Sequence, residues 1–301
     1  MNMPSRVKIV EVGPRDGLQN ESTPVAVKEK IKLIDLLCDS GLSVIETGSF
    51  VSAKHVPQMA DSAAVYAGLN QNNKVTYQVL VPNKHGYSDA KAAGAKEIAV
   101  FAAATETFSQ KNIACSVADS IERFTQLTAD ALDDGMRVRG YLSCVLGCPY
   151  EGQVKPEVVA SLTQQLLDAG CYEVSLGDTI GVGTAGSTAT LINCLQQQGI
   201  SPDALAIHCH DTYGQALSNV LVALQHGIST IDASVSGLGG CPFAPGASGN
   251  VATEDVIYML DGLGIEHGID LDALLAAGRY ISMVLKRDTQ SSVAKALAQA
   301  K

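Results

Sequence analysis

No stretch of this 301-residue chain stays apolar over the roughly 18 residues that a membrane-crossing helix needs, which excludes a transmembrane span. Met1 to Lys8 runs straight towards a strand-like segment, with no apolar signal core and no Arg/Ser-rich presequence. The final Ala298-Gln299-Ala300-Lys301 carries no peroxisomal address of the Ser-Lys-Leu type, so a cytoplasmic protein is expected. Basic residues number 21 against 31 acidic ones and form no cluster, which leaves no cationic stripe for nucleic acid. An anionic small substrate stays compatible with the net charge of −10, because a local site can oppose the overall field. None of the eight cysteines forms a Cys-x-x-Cys pair, and a chain this long needs no disulfide staples, so reduced thiols are expected. No linker, composition shift or low-complexity segment interrupts the chain, and one domain over residues 1–301 is the reading.

What is present is a core-rich composition, 46% apolar and 17% charged, arranged as short β-branched runs separated by amphipathic stretches. The strand candidates are Val7–Val12, Val44–Thr47, Val75–Val81, Ile98–Ala102, Val138–Ser143, Glu173–Leu176, Leu205–His210 and Thr230–Val235. Between them Lys28–Ser40, Ala118–Asp134, Pro156–Ala169 and Ser187–Gln198 place apolar residues three and four apart, the spacing of a helix face. Alternating strands and helices imply parallel strands with crossover connections. Eight strands are the number that closes an α/β chain into a single (β/α)8 (TIM) barrel, which takes about 250 residues. The expected layout is a barrel over about 7–253 and a C-terminal helical extension over about 254–301.

In such a barrel, reactive groups belong at the C-terminal ends of the strands. The first candidate strand ends in Gly13-Pro14-Arg15-Asp16-Gly17, the second in Glu46-Thr47-Gly48, the sixth in Gly177-Asp178-Thr179 and the seventh in His208-Cys209-His210-Asp211. Ionisable side chains far apart in sequence therefore fall on one rim. Residues i and i+2 of a strand share a face, so His208 and His210 can both face the barrel mouth while Cys209 faces the helices. Two imidazoles make half of a metal site, and Asp16 and Asn250 are the candidates to complete it. The mixed N/O set suits Mg²⁺ or Mn²⁺ better than Zn²⁺. Taken alone, each element has a plainer reading: buried core histidines, an Arg15–Asp16 loop salt bridge, and helix-capping acids at Glu46 and Asp178. Their coincidence on one rim favours the metal.

The loop after the eighth candidate strand, Gly237 to Asn250, contains five glycines, and Cys241 sits within it as a candidate acid or base or as a small apolar loop residue. Gly181-Val182-Gly183-Thr184-Ala185-Gly186 matches a dinucleotide fingerprint, with Asp203 downstream. Gly177-Asp178-Thr179-Ile180 separates those glycines from the strand, so the segment reads as an ordinary strand-to-helix loop, with phosphate binding at the helix N-terminus the alternative.

Together these motifs resemble the 3-hydroxy-3-methylglutaryl-CoA lyases. The resemblance rests on Val12-Gly13-Pro14-Arg15-Asp16-Gly17-Leu18-Gln19-Asn20-Glu21, on Val44-Ile45-Glu46-Thr47 through Ser52, on His208 to Ala216, and on Ser234 to Asp255. It implies metal ligation by Asp16, His208, His210 and Asn250, catalysis by Cys241 and His208, substrate contacts by Arg15, and supporting roles for Glu46 and Asp178. It implies cleavage of 3-hydroxy-3-methylglutaryl-CoA to acetyl-CoA and acetoacetate, a step of leucine breakdown. No cysteine follows Cys241, so the C-terminal inter-subunit thiol pair of some relatives cannot form here. Lys111, Asn112 and Ser116, after the fourth candidate strand, are candidate CoA contacts by position. An acyl-CoA is the expected small-molecule partner and a homodimer the expected assembly. The rival readings are a metal-dependent aldolase, an acyl-CoA condensing synthase, and a non-catalytic barrel that binds metal or acyl-CoA.

Overall fold

In the computed structural model, which describes residues 3–71, 74–240 and 249–299, eight parallel strands close into a barrel in sequence order. They are β1 (Lys8–Glu11), β2 (Val44–Ser49), β3 (Thr76–Leu80), β4 (Glu97–Ala103), β5 (Arg137–Ser143), β6 (Val174–Asp178), β7 (Leu205–Cys209) and β8 (Thr230–Ala233). All eight strand candidates are present, shifted by one or two residues at their ends. The helices are α1 (Val27–Asp39), α2 (Ser62–Ala67), α3 (Lys84–Ala92), α4 (Glu106–Ile113), α5 (Val117–Asp133) and α6 (Pro156–Asp168). They continue with α7 (Ala185–Gln197), α8 (Ala216–Gln225), α9 (Thr253–Leu263), α10 (Leu271–Leu285) and α11 (Ser292–Gln299).

Local chemistry sets the helix starts. Asn83, Ser116 and Asp270 each accept a hydrogen bond from a backbone N–H in the first turn of the helix that follows, and Thr184 and Ser187 form a reciprocal capping box on α7. Pro156 opens α6, where its missing N–H would have had no helical partner.

Alternation along each strand divides the molecule into two interiors. Ile9, Ile45, Val79, Ile98, Val138, Leu176, Ile207 and Ile231 face outwards and belong to one apolar cluster with the helices. The other face carries the charged and polar residues, among them Glu46, Gln78, Arg139, Ser175, His208 and Asp232, together with small apolar clusters of Val10 and Val44 and of Leu80, Ala99 and Tyr141. Helices α9 and α10 pack against α8 and α1 respectively, so the C-terminal helices fill the gap that the eighth barrel helix must close.

Two register features shape the rim. Thr47 forms a bulge between Glu46 and Gly48 where β2 pairs with β3, beside an acid the sequence placed in the site. On the opposite wall, His208 is level with Gly177 of β6 on one side and Asp232 of β8 on the other.

Candidate active site

The turn after β1 is a single wide helical turn over Gly13–Gly17, and it presents Arg15 and Asp16 from the rim. Its glycines are demanded by packing. A Cβ on Gly13 would stand 2.6 Å from Glu11 Oε1, and one on Gly17 would stand 2.7 Å from Ser234 Oγ. Glu11 accepts from the N–H groups of Gly13 and Val235 at 2.8 and 2.9 Å and from Thr253 Oγ1 at 2.7 Å, tying the ends of β1 and β8 together. Burial pushes its carboxyl up to about 7 despite those three donors.

Arg15 is buried between two acids. Its Nε donates to Glu46 Oε2 at 2.6 Å and its Nη1 to Asp16 Oδ1 at 2.7 Å. Burial opposes the charge on each partner. The mutual attraction nevertheless raises the Arg15 pKa and holds the Asp16 carboxyl well below the usual range. For Glu46 burial wins and the pKa moves up. Its second oxygen, Oε1, is buried with no hydrogen-bond partner among the described residues.

Asp16, His208 and His210 bring one ligand atom each within 4.8 Å of one another. Asp16 Oδ2 lies 4.0 Å from His208 Nε2 and 3.8 Å from His210 Nε2. Asn250 joins this group by donating from Nδ2 to Asp16 Oδ2 at 2.8 Å, while its carbonyl oxygen Oδ1 is buried with no hydrogen-bond partner among the described residues. Three converging ligand atoms and an unsatisfied amide oxygen beside them fit a hard divalent cation in kind and number. The sequence therefore named four residues that the fold does gather. Cys209 faces away from them into the apolar cluster under the helices, as its strand position required.

Other expected residues fall differently. Asp178 is fully buried and accepts from the N–H groups of Val182 and Gly183 at 3.1 and 2.9 Å, so both its oxygens hold the loop before α7. A Cβ on Gly183 would stand 2.7 Å from Asp178 Oδ2, which explains one glycine of the fingerprint-like segment. Those backbone donors are already answered by the chain's own carboxylate. Ser116 caps α5, and Asn112 is exposed on α4, next to Lys111, whose ammonium lies 4.5 Å from the centre of the Tyr150 ring. Cys241 lies outside the described residues. The described flanks of its segment meet beside the ligand group: a Cβ on Gly249 would stand 2.5 Å from Gly239 backbone, and one on Gly239 would stand 2.8 Å from Asn250 Nδ2.

Sequence reading missed the layer beneath. Asp232, on β8, lies 3.3 Å from His208 Nδ1 through Oδ2 and pairs with Arg139 of β5 at 2.7 Å. Arg139 also donates to Glu173 at 2.7 Å, and Glu173 in turn meets Lys8 at 2.8 Å. Arg139 and the Asp232 side chain are both fully buried. Burial opposes ionisation in both, yet Arg139 keeps Asp232 below the ordinary carboxylate range and Asp232 raises Arg139. His208 is likewise raised, burial being outweighed by the bond and charge of Asp232. The available signal was an acid inside the apolar run Ile231-Asp232-Ala233, on the same face as Thr230 and Ser234.

Fold and site thus define a class: (β/α)8 barrels whose C-terminal rim gathers a His-x-His pair and an aspartate with the spacing of metal ligands. The chain belongs to the HMGL-like family, which it matches over residues 6–281. It is 59% identical to a zebrafish (Danio rerio) protein named 3-hydroxy-3-methylglutaryl-CoA lyase, cytoplasmic, over 98% of this chain and 88% of that protein. The crystal structure of hydroxymethylglutaryl-CoA lyase from Pseudomonas aeruginosa superposes with a TM-score of 0.97 at 55% identity, covering both chains fully (100% of each). An HMG-CoA lyase from Acenitobacter baumannii, solved in complex with coenzyme A and 3-methylmalate, matches at 38% identity and a TM-score of 0.92, over 97% of this chain and 95% of that one.

Proposed function

We propose that this protein is a carbon–carbon lyase that splits 3-hydroxy-3-methylglutaryl-CoA into acetyl-CoA and acetoacetate. The observation that carries the reading is the convergence of Asp16, His208 and His210 beside Arg15, in a chain that matches lyases of that name along nearly its whole length. Asp16, His208, His210 and Asn250 are the proposed ligands of a divalent cation, Mg²⁺ or Mn²⁺. When bound, the cation supplies Lewis acidity that makes a tertiary hydroxyl far easier to ionise, as it does for bound water.

The chain's own groups then divide the work. Asp16 accepts the proton of the substrate's tertiary hydroxyl, because both ring nitrogens of His208 are engaged, Nδ1 with Asp232 and Nε2 as a ligand. The C2–C3 bond breaks as that oxygen forms a ketone, and the bonding electrons move to the thioester carbonyl oxygen. Arg15, buried and charged in every accessible pH range, meets the negative charge where it develops. Glu46 fixes the guanidinium through Nε, and Asp178 shapes the adjoining loop. Cys241 delivers a proton to the former C2, which completes acetyl-CoA; the released ketone is acetoacetate.

The wider proposals are an acyl-CoA as the small-molecule partner, a homodimer, a cytoplasmic location like that in the zebrafish relative's name, and a place in leucine breakdown. CoA contacts from Asn112 and Ser116 belong with them. No described helix is long and apolar enough to cross a membrane. The test is acetoacetate release from 3-hydroxy-3-methylglutaryl-CoA, after EDTA treatment and after adding back Mg²⁺ or Mn²⁺, for wild type and Cys241→Ala. Metal-dependent release that collapses in the variant is expected. Folded protein that releases nothing under any metal condition shifts the reading to an aldolase or condensing synthase.

A further inference from the structure

One carboxylate below the ligand group is surrounded by donors. Asp232 Oδ1 accepts from Arg139 Nη2 at 2.7 Å, and Oδ2 accepts from Ser175 Oγ at 2.7 Å. The same Oδ2 lies 3.3 Å from Arg139 Nη1 and 3.3 Å from His208 Nδ1. Arg139 cannot turn away, since its Nε is engaged by Glu173 at 2.7 Å. A carboxylate in an ion pair offers lone pairs and no proton, so the ring nitrogen that faces it must carry the hydrogen. A proton on Nδ1 leaves Nε2 with its lone pair, and Nε2 is the nitrogen turned towards Asp16. Two rings also flank it: Tyr141 meets it edge-on at 85° with centroids 6.3 Å apart, and His210 lies tilted at 41° with centroids 5.4 Å apart.

We infer that Asp232 is a positioning residue: anchored by Arg139 and Ser175, it locks His208 in the Nδ1–H tautomer and fixes the ring plane, so that Nε2 is ready as a ligand before any cation arrives. The inference rests on the metal centre proposed above. It goes further in assigning a function to a buried ion pair that could otherwise be only a structural element, because a merely structural Arg139–Asp232 pair has no need to reach His208. Outer carboxylates of this kind commonly change metal affinity by about 10–100-fold when removed. Asp232→Asn keeps the shape but replaces one acceptor oxygen with an NH₂ donor. The amide then confronts Arg139, Ser175 or the His208 N–H with a second donor.

Two measurements test this. The first labels the histidines of metal-free wild type with ¹⁵N and reads the ring tautomers by NMR in alkaline buffer, with His208→Gln identifying the His208 signals. Protonated Nδ1 and bare Nε2 are expected; a hydrogen on Nε2 overturns the inference. The second titrates Mn²⁺ into wild type, Asp232→Asn and Ser175→Ala and follows free Mn²⁺ by electron paramagnetic resonance. Weakening of about 10–100-fold is expected for Asp232→Asn, with a smaller loss for Ser175→Ala. Folded Asp232→Asn that binds Mn²⁺ as wild type does contradicts the inference while leaving the metal centre intact. Wild type that binds no Mn²⁺ removes the centre itself. Should Asp232→Asn not fold, the wild-type tautomer decides alone.

Discussion

On β7, Ile207 and Cys209 face the helices and sit in the main apolar cluster, while His208 between them and His210 just beyond face the barrel axis. The same division runs through β8, where Ile231 packs outwards and Asp232 inwards, and through β5, where Val138 and Leu142 pack outwards and Arg139 inwards. One interior is apolar and tolerates adjustment. The other carries, beside small apolar clusters, a chain of charges from Lys8 through Glu173, Arg139 and Asp232 to His208. Buried acids diverge with their partners, and Glu46, which shares Arg15 with Asp16, is pushed up by burial. Asp16 and Asp232, paired with arginines inside, are held low, whereas Glu11 and Glu254, outside the barrel with only N–H and O–H donors, are pushed up by burial. Apolar packing therefore holds the wall, and the charge chain fixes what the wall presents.

Breaking the charge chain has the largest effect. Arg139→Met leaves Asp232 buried without its cation and Glu173 with Lys8 alone, and urea unfolding is expected to show a loss of roughly 3–5 kcal/mol. A variant as stable as wild type would mean that the inner charges are not coupled. Arg15→Gln acts on the reaction: kcat for acetoacetate release should fall by about 10²–10³-fold, the loss typical of a removed oxyanion donor. An unchanged kcat would take Arg15 out of the site. On the outer face, Ile231→Val should cost only about 0.5–1.5 kcal/mol of stability while Mn²⁺ affinity stays at the wild-type value. A clear fall in affinity there would show that the two interiors are not independent.

A further effect is a change of slope with pH. Glu254 accepts the Ser236 N–H at 2.9 Å on both oxygens, in a turn where Ser236 adopts a left-handed φ of 60°, and burial pushes its carboxyl from 4.5 up to about 8. The folded state holds this proton more tightly than the unfolded state. Its contribution is therefore full below about pH 4.5 and is lost as pH rises through about 8. Thermal midpoints of wild type should fall more steeply than those of Glu254→Gln between about pH 5 and 8. Parallel curves would place the carboxylate in its ordinary range.

Much of this was legible before the fold. The eight strands could be read because outward positions are β-branched and recur, and the ligands because His208-Cys209-His210 carries its own geometry and Asp16 ends a strand. Asp232 could not be assigned a partner: His208 lies 24 residues away and Arg139 lies 93 residues away, and only the barrel register brings them level. Asp178 looked like a rim acid because sequence fixes its strand position. It does not show that Val182 and Gly183 turn back to occupy both oxygens. Nor does spacing reveal that Gly13 and Gly17 are required by Glu11 and Ser234 across the β1–β8 seam.

The most direct test is a crystal of the metal-depleted protein soaked in Mn²⁺ and examined by anomalous diffraction. One strong peak bonded to Asp16 Oδ2, His208 Nε2 and His210 Nε2, with the Asn250 carbonyl oxygen facing it, is the expected result. A peak elsewhere, or saturating Mn²⁺ with none between these side chains, would contradict the metal centre on which the lyase chemistry depends.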